Sequence, residues 1–175
     1  MDDCRAKGVV LIGMRRSGKS SLGELLGARL DLPFQDLDRL IEAREGLAVS
    51  RIIAERGVRE FRQAETRALR SVHSGRGHVL ATGGGTPMRR CNRRKLRQLG
   101  TVVFLDVSEK VLQERLTADQ DRESRPLLVG GSLEEEVVLQ FRARRGIYFS
   151  CAHLVVCGDG GPTEVLARLL GALGV

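Results

Sequence analysis

Apolar residues fall into five short runs, separated by stretches of helical periodicity. The first run, Gly8-Val9-Val10-Leu11-Ile12, precedes a helical pattern from Ser20 to Leu30. The second, Leu32-Pro33-Phe34-Gln35, leads into an amphipathic segment that opens at Asp36. Ala48 to Glu55 reads as a short helix stopped by Gly57, and Val58 to Val72 as another, with Phe61, Ala64, Ala68, Leu69 and Val72 at helical spacing. The third run, His78 to Thr82, ends in Gly83-Gly84-Gly85-Thr86-Pro87, where Pro87 suits the first turn of the next helix. Thr101 to Asp106 is the fourth, before a helix from Glu109 to Leu116. A helix from Ser132 to Phe149 follows, expected to bury Val137, Val138, Phe141 and Tyr148. The fifth run, His153 to Cys157, leads to a closing helix with Val165, Leu166, Leu169, Leu170 and Leu173 on one side.

Short, continuously apolar strands alternating with helices predict an α/β fold: a five-stranded parallel sheet sandwiched by helices. Right-handed crossovers bring the loops after the strands to one edge, where ligands bind in open α/β sheets. The 175 residues are expected to form one domain, 1–175, with no room for a separate substrate domain.

Those loops carry the chemistry. Gly13-Met14-Arg15-Arg16-Ser17-Gly18-Lys19-Ser20 fits G-x-x-x-x-G-K-[S/T] and lies between the first strand and the first helix. Gly13 and Gly18 permit positive φ, so successive backbone NH groups turn inward on a phosphate at a helix N-terminus. In such a loop Lys19 reaches the β and γ phosphates and the Ser20 hydroxyl ligates Mg²⁺. Asp36 and Asp38 stand one residue apart at a strand end; helix capping explains one of them, not both. Arg62 and Glu65 are three apart and share a helical face, which alone reads as a surface ion pair. Three consecutive glycines, Gly83 to Gly85, clear side chains from a place where backbone meets something bulky. Thr117 to Gly131, polar and bearing Arg122 and Arg125, reads as a mobile cover or a disordered loop.

Composition narrows the partners. The formal charge of +7 comes almost wholly from arginine, with one cluster at Arg89, Arg90, Arg93, Arg94, Lys95 and Arg97. With few aromatics near it, that cluster reads as a solvated helix face rather than a nucleic-acid surface. A hydrophobic share of 42% and a charged share of 29% fit a folded chain and exclude a disordered one. No apolar run reaches membrane length and Met1-Asp2-Asp3-Cys4 has no signal-peptide pattern, so a cytoplasmic protein is expected. Cys4, Cys91, Cys151 and Cys157 show neither C-x-x-C nor zinc spacing, and reduced thiols are expected.

Taken together these residues resemble the shikimate kinase family, over nearly the whole chain. Six motifs follow the family's order: the Gly13 to Ser20 loop, Asp36-x-Asp38-x-x-Ile41-Glu42, Phe61-Arg62-x-x-Glu65, Gly83-Gly84-Gly85, Arg125-Pro126-Leu127-Leu128 and Arg144-x-x-x-Tyr148. The resemblance implies a P-loop architecture like that of nucleoside monophosphate kinases, with a mobile lid at residues 117–131 and a shikimate-binding region at 36–65. It implies transfer of the ATP γ-phosphoryl to the 3-hydroxyl of shikimate, with Mg²⁺. Lys19 then binds the β and γ phosphates, while Ser20, with Asp36 through water, holds the metal. Asp38 positions or deprotonates the acceptor hydroxyl. Arg62 and Arg144 clamp the shikimate carboxylate, Glu65 orients Arg62, and Gly83, Gly84 and Gly85 lie against the ring. Arg125 approaches the transferring phosphoryl, and Arg115 flanks adenine. Gly13, Met14, Arg15, Arg16, Ser17, Gly18, Ser21 and Pro162 complete the nucleotide side. The implied partners are small molecules, with neither nucleic acid nor membrane, and a monomer is expected.

Some positions depart from the family. Arg16 replaces a common glycine, Val58 a usual Glu, and Gly146-Ile147 a usual Pro-Leu, while the stretch 117–124 is longer and the loop 158–162 lacks an Arg that some relatives use. Two alternatives stay open: a kinase for another small hydroxy acid such as gluconate, and a nucleotide-dependent nucleic-acid-binding protein that uses the Arg89 to Arg97 face.

Overall fold

The computed structural model describes residues 8–73, 77–117 and 133–175. Five strands form one sheet: β1 (Gly8–Ile12), β2 (Phe34–Asp36), β3 (Val79–Ala81), β4 (Gly100–Asp106) and β5 (Leu154–Cys157), in the order β2-β3-β1-β4-β5. Every pairing is parallel, with β1 in the centre between β3 and β4. Parallel strands must be covered on both faces. Val9 and Leu11 point one way, onto α1 (Lys19–Leu30) and α7 (Pro162–Leu173), through Leu22, Leu26, Val165 and Leu169. Val10 and Ile12 point the other way, into a larger core with Leu69, Leu96, Phe104 and Tyr148. That second face is covered by α2 (Leu37–Glu45), α3 (Val49–Ser71), α4 (Arg90–Leu99), α5 (Glu109–Thr117) and α6 (Leu133–Cys151).

Local chemistry accounts for most boundaries, including those that shift from the sequence reading. β2 starts at Phe34 rather than Leu32, because the Leu32 amide still closes the end of α1 on the Gly27 carbonyl at 2.9 Å. The two helices expected on either side of Gly57 run together as α3, broken by that residue alone at φ 82°, ψ 163°. This conformation favours glycine, so Gly57 makes a corner rather than a full stop. Pro87 lies in a separate 3₁₀ turn, Thr86–Met88, with extended Arg89 between it and α4.

The basic face of α4 is only partly solvated. Arg93 donates to the carbonyls of Pro87 (2.7 Å) and Met88 (3.1 Å), and Arg97 donates to those of Ser150 and Cys151 at the end of α6. Cations at a helix C-terminus satisfy its last carbonyls and oppose its dipole. The expected lid, 117–131, lies essentially outside the described residues. No described helix is long and apolar enough to cross a membrane.

Candidate active site

The functional loops gather at the carboxyl ends of β1, β2, β3 and β5. After β1, the chain turns through Gly13, Arg16 and Gly18, with φ of 150°, 64° and 87°, and enters α1 at Lys19. Lys19 is buried, and its Nζ donates to the Met14 carbonyl at 2.5 Å and to Ser17 Oγ at 3.1 Å. The loop is thus braced from within by the cation that the motif supplies for phosphate.

Beside it, Ser20 Oγ donates to Asp36 Oδ2 at 2.5 Å, joining the start of α1 to the end of β2. The other oxygen of Asp36 accepts the Asp38 amide at 2.9 Å, capping α2. One carboxylate therefore serves both the serine and the helix cap, while Asp38 lines a cavity with Lys19, Ser20, Thr82 and Gly83.

Behind Asp38 is a buried acid. Glu65 is completely enclosed, with Oε1 accepting from Thr86 Oγ1 at 2.6 Å and Oε2 from Arg62 Nη1 at 3.0 Å. Burial pushes its carboxyl above the ordinary range, against the pull of Arg62 and Thr86, and the nearby Asp38 charge adds to the rise. The pair that spacing alone reads as a surface ion pair is an internal one. Burial costs each charge its hydration, so it persists only because hydrogen bonds satisfy both oxygens.

The three glycines after β3 each meet a different neighbour. A β-carbon on Gly83 would lie 2.9 Å from Glu65 Oε1 and 3.1 Å from Asp38 Oδ1; on Gly84, 3.1 Å from the Arg15 amide nitrogen; on Gly85, inside contact distance of the Arg62 guanidinium. Close approach thus brings the two carboxylates, the phosphate loop and Arg62 around one short backbone segment.

Tyr148 completes the ring. Its hydroxyl donates to the Gly84 carbonyl at 2.5 Å and lies 3.4 Å from Met14 Sδ, and the half-buried Arg144 stands one helical turn away. Phe104 stacks on it with ring centroids 5.1 Å apart. Burial pushes the phenol up to about 12, even with Arg144 and Arg62 favouring the ionised form.

Arg115, on α5, is a strut. Nη1 donates to the Arg16 carbonyl at 3.3 Å, and Nη2 to the carbonyls of Gly158 (3.0 Å) and Gly160 (3.2 Å). It divides the rim into two cavities. The smaller, about 280 Å³, has Leu22, Pro162 and Val165 on its apolar side; the larger, about 550 Å³, holds Lys19, Ser20, Asp36 and Asp38. Arg15 borders the larger cavity, and Ser21 borders both. Arg125 lies outside the described residues.

Of the residues that sequence reasoning singled out, the structure brings together Asp36, Asp38, Arg62, Glu65 and the glycines, while Arg144 stands on α6 one helical turn before Tyr148. Sequence reasoning missed Thr86 and Asn92. The buried Asn92 amide donates to the Thr86 carbonyl at 3.0 Å, holding the residue that holds Glu65. The one available signal was a lone Asn in a helix otherwise made of Arg, Lys, Leu and Gln with a Cys.

A family model described as shikimate kinase matches residues 15–173. The chain belongs to the shikimate kinase family. It is similar to the shikimate kinase of Nitratidesulfovibrio vulgaris, 40% identical over 165 residues, which cover 94% of each chain. The family fold extends to solved structures. Shikimate kinase from Acinetobacter baumannii in complex with shikimate superposes with a TM-score of 0.88 at 29% identity, covering 95% of this chain and 92% of that one. A gluconokinase from Sinorhizobium meliloti reaches 0.60 at 22% identity, over 97% and 92% of the two chains, a likeness of fold alone. The parallel sheet and P-loop expected from sequence are therefore those of the shikimate kinases.

Proposed function

We propose that the chain is a shikimate kinase that transfers the γ-phosphoryl of ATP to the 3-hydroxyl of shikimate, giving shikimate 3-phosphate and ADP. The observation that carries this reading is the meeting of two half-sites: Gly83 and Gly84 touch Asp38 and Glu65 on one side and the phosphate loop on the other.

The phosphate half orients the donor. Loop amides from Gly13 to Ser20 face the phosphates, and Lys19 exchanges its loop acceptors for the β and γ oxygens. The apolar cavity beside Pro162 and Val165 takes the base. In the acceptor half, Arg62, held by Glu65, and Arg144, one helical turn before Tyr148, would offer guanidinium forks to the shikimate carboxylate. With the acid end fixed, Asp38 accepts the proton of the attacking hydroxyl as its oxygen bonds to the γ phosphorus and the bond to the β-phosphate oxygen breaks. Arg125 is assigned the transferring phosphoryl by family resemblance alone.

The donor set fits Mg²⁺. No group of three or more His, Cys, Asp or Glu gathers for a metal among the described residues, and Mg²⁺ needs none, taking one or two hard oxygens with phosphates and water. Ser20 and Asp36, already 2.5 Å apart beside the loop, would hold it. When bound, it neutralises charge on the β and γ oxygens. A monomer working in the cytoplasm is part of the proposal.

ADP release measured with shikimate and with gluconate, each with and without Mg²⁺, tests the reading. Shikimate-dependent, Mg²⁺-dependent release is expected; equal or greater release with gluconate would overturn it. Arg62→Ala and Arg144→Ala are each expected to raise the shikimate KM by roughly 30-fold or more while leaving ATP binding near wild type. Equal losses for both ligands would refute the clamp.

A further inference from the structure

A third concavity lies away from the rim that gathers the functional loops. It measures about 460 Å³, is lined by Arg90, Arg93, Arg94, Arg97, Gln98 and Ser150, and shares no lining residue with the two cavities on either side of Arg115. α4 runs back from the turn after β3 to the start of β4, and α6 ends just before β5. Arg97 and Ser150 therefore stand toward the amino edge of the sheet, opposite the phosphate loop.

Helix stability does not explain this lining. Positions 90, 93, 94 and 97 follow the i, i+3, i+4, i+7 spacing of one helical face, where like charges repel. Cations in a first turn also oppose the helix dipole, and α4 has no acid there to offset them. Two of the four arginines hold structure: Arg93 caps the turn at Pro87 and Met88, and Arg97 caps the end of α6 at Ser150 and Cys151. A neutral carbonyl orients a guanidinium without cancelling its charge. Arg90 and Arg94 are exposed, and among the described residues neither makes a hydrogen bond or ion pair. No carboxylate lines the cavity.

We propose that this concavity binds a small polyanion, a molecule with two or more phosphoryl or carboxylate groups, between α4 and the end of α6. Arg93 and Arg97 are already ordered by their carbonyls, so binding costs them little side-chain freedom, and Arg90 and Arg94 complete the charge-assisted hydrogen bonds. From Arg90 to Arg97 the helix rises about 10 Å, so a single monoanion cannot reach all four guanidinium groups and a multivalent ligand can. Nucleic acid fits less well. The cations occupy one short face, and no aromatic side chain lines it for a base to stack on. Because Arg97 and Ser150 belong to opposite walls, the bound ligand ties α4 to α6 and stabilises the fold.

Calorimetric titration of the full chain, saturated with ADP to fill the phosphate loop, tests it with inorganic tripolyphosphate, citrate and inorganic phosphate. Wild type is compared with the double variant Arg90→Gln, Arg94→Gln and with Arg94→Glu alone, exposed positions whose replacement leaves the described hydrogen bonds intact. Tripolyphosphate or citrate is expected to bind wild type at one site and to raise its Tm, the tighter of the two telling a phosphorylated from a carboxylated ligand. Both variants are expected to weaken that binding by roughly tenfold or more, with ADP affinity within about twofold of wild type. Polyanion affinity within about twofold of wild type in either variant would overturn the proposal, as would inorganic phosphate binding as tightly as both polyanions. A single-stranded oligonucleotide that binds more tightly than either polyanion, and loses that binding in the variants, would overturn it in favour of a nucleic-acid surface. Because binding is compared between variants without turnover, the result does not depend on whether shikimate is the acceptor.

Discussion

Tyr148 is the single tyrosine of a chain without tryptophan, so its ionisation can be read with no other phenol in the way. Its side chain is fully buried, its hydroxyl bonded to the Gly84 carbonyl, and burial carries it from an ordinary value of 10.0 to about 12. A phenol whose folded value is raised contributes stability that is fully present below the unfolded value. That contribution disappears as pH climbs through the folded one. At about 1.4 kcal/mol per pH unit, the interval from 10 to about 12 corresponds to about 3 kcal/mol lost from the folded state. The assay follows tyrosinate absorbance and far-ultraviolet circular dichroism together in an alkaline titration. Tyrosinate is expected to appear only with loss of dichroism, or near pH 12 if the fold survives. In denaturant the same absorbance should rise around pH 10. Ionisation centred near pH 10 with native dichroism would refute the burial argument, and with it the claim that Tyr148 fastens Gly84 and Met14 to α6.

Three further outcomes follow from the same geometry. Gly85→Ala drives a methyl group into the Arg62 guanidinium and is expected to raise the shikimate KM with little change for ATP; unchanged shikimate KM would show that Arg62 is not confined there. Asp38→Asn is expected to lower kcat at least about a hundredfold at unchanged Tm, since a general base typically supplies that much; retained turnover would remove the carboxylate from the chemistry. Glu65 has a raised carboxyl, so its contribution to stability is present below the ordinary carboxylate value and is lost as pH rises through the folded one. The difference in Tm, Glu65→Gln minus wild type, is therefore expected to grow from pH 4.5 towards neutrality, and a shrinking difference would contradict the burial.

What was legible in the sequence was what a short window contains. The phosphate loop, the Asp36 and Asp38 spacing and the three glycines are local patterns, each with a local backbone reason. Even the Arg62 and Glu65 pair was visible as a helical neighbour relation, though not its depth, which depends on Thr86 arriving from 21 residues away. The strut role of Arg115 was out of reach because its partner Arg16 is 99 residues distant and offers only a carbonyl. Likewise the Tyr148 bond to Gly84 spans 64 residues and joins a side chain to backbone, which no charge or hydrophobic pattern marks. Family resemblance gave Arg144 its place; residue spacing alone had shown only a surplus of arginines on a helix.

The corner at Gly57 bears on how the acceptor end of the molecule yields. Glu45, at the end of α2, reaches Arg56 before the corner at 2.8 Å and Arg67 beyond it at 3.1 Å, and Arg67 also takes Glu60. A helix interrupted at one residue bends there first, and this elbow is bound on both arms by the same carboxylate. Those contacts lie in reach of solvent ions, which screen them. The stiffness of the arm that presents Arg62 to its ligand is thereby tied to the ionic strength of the medium, while the buried grip of Glu65 on that arginine is not.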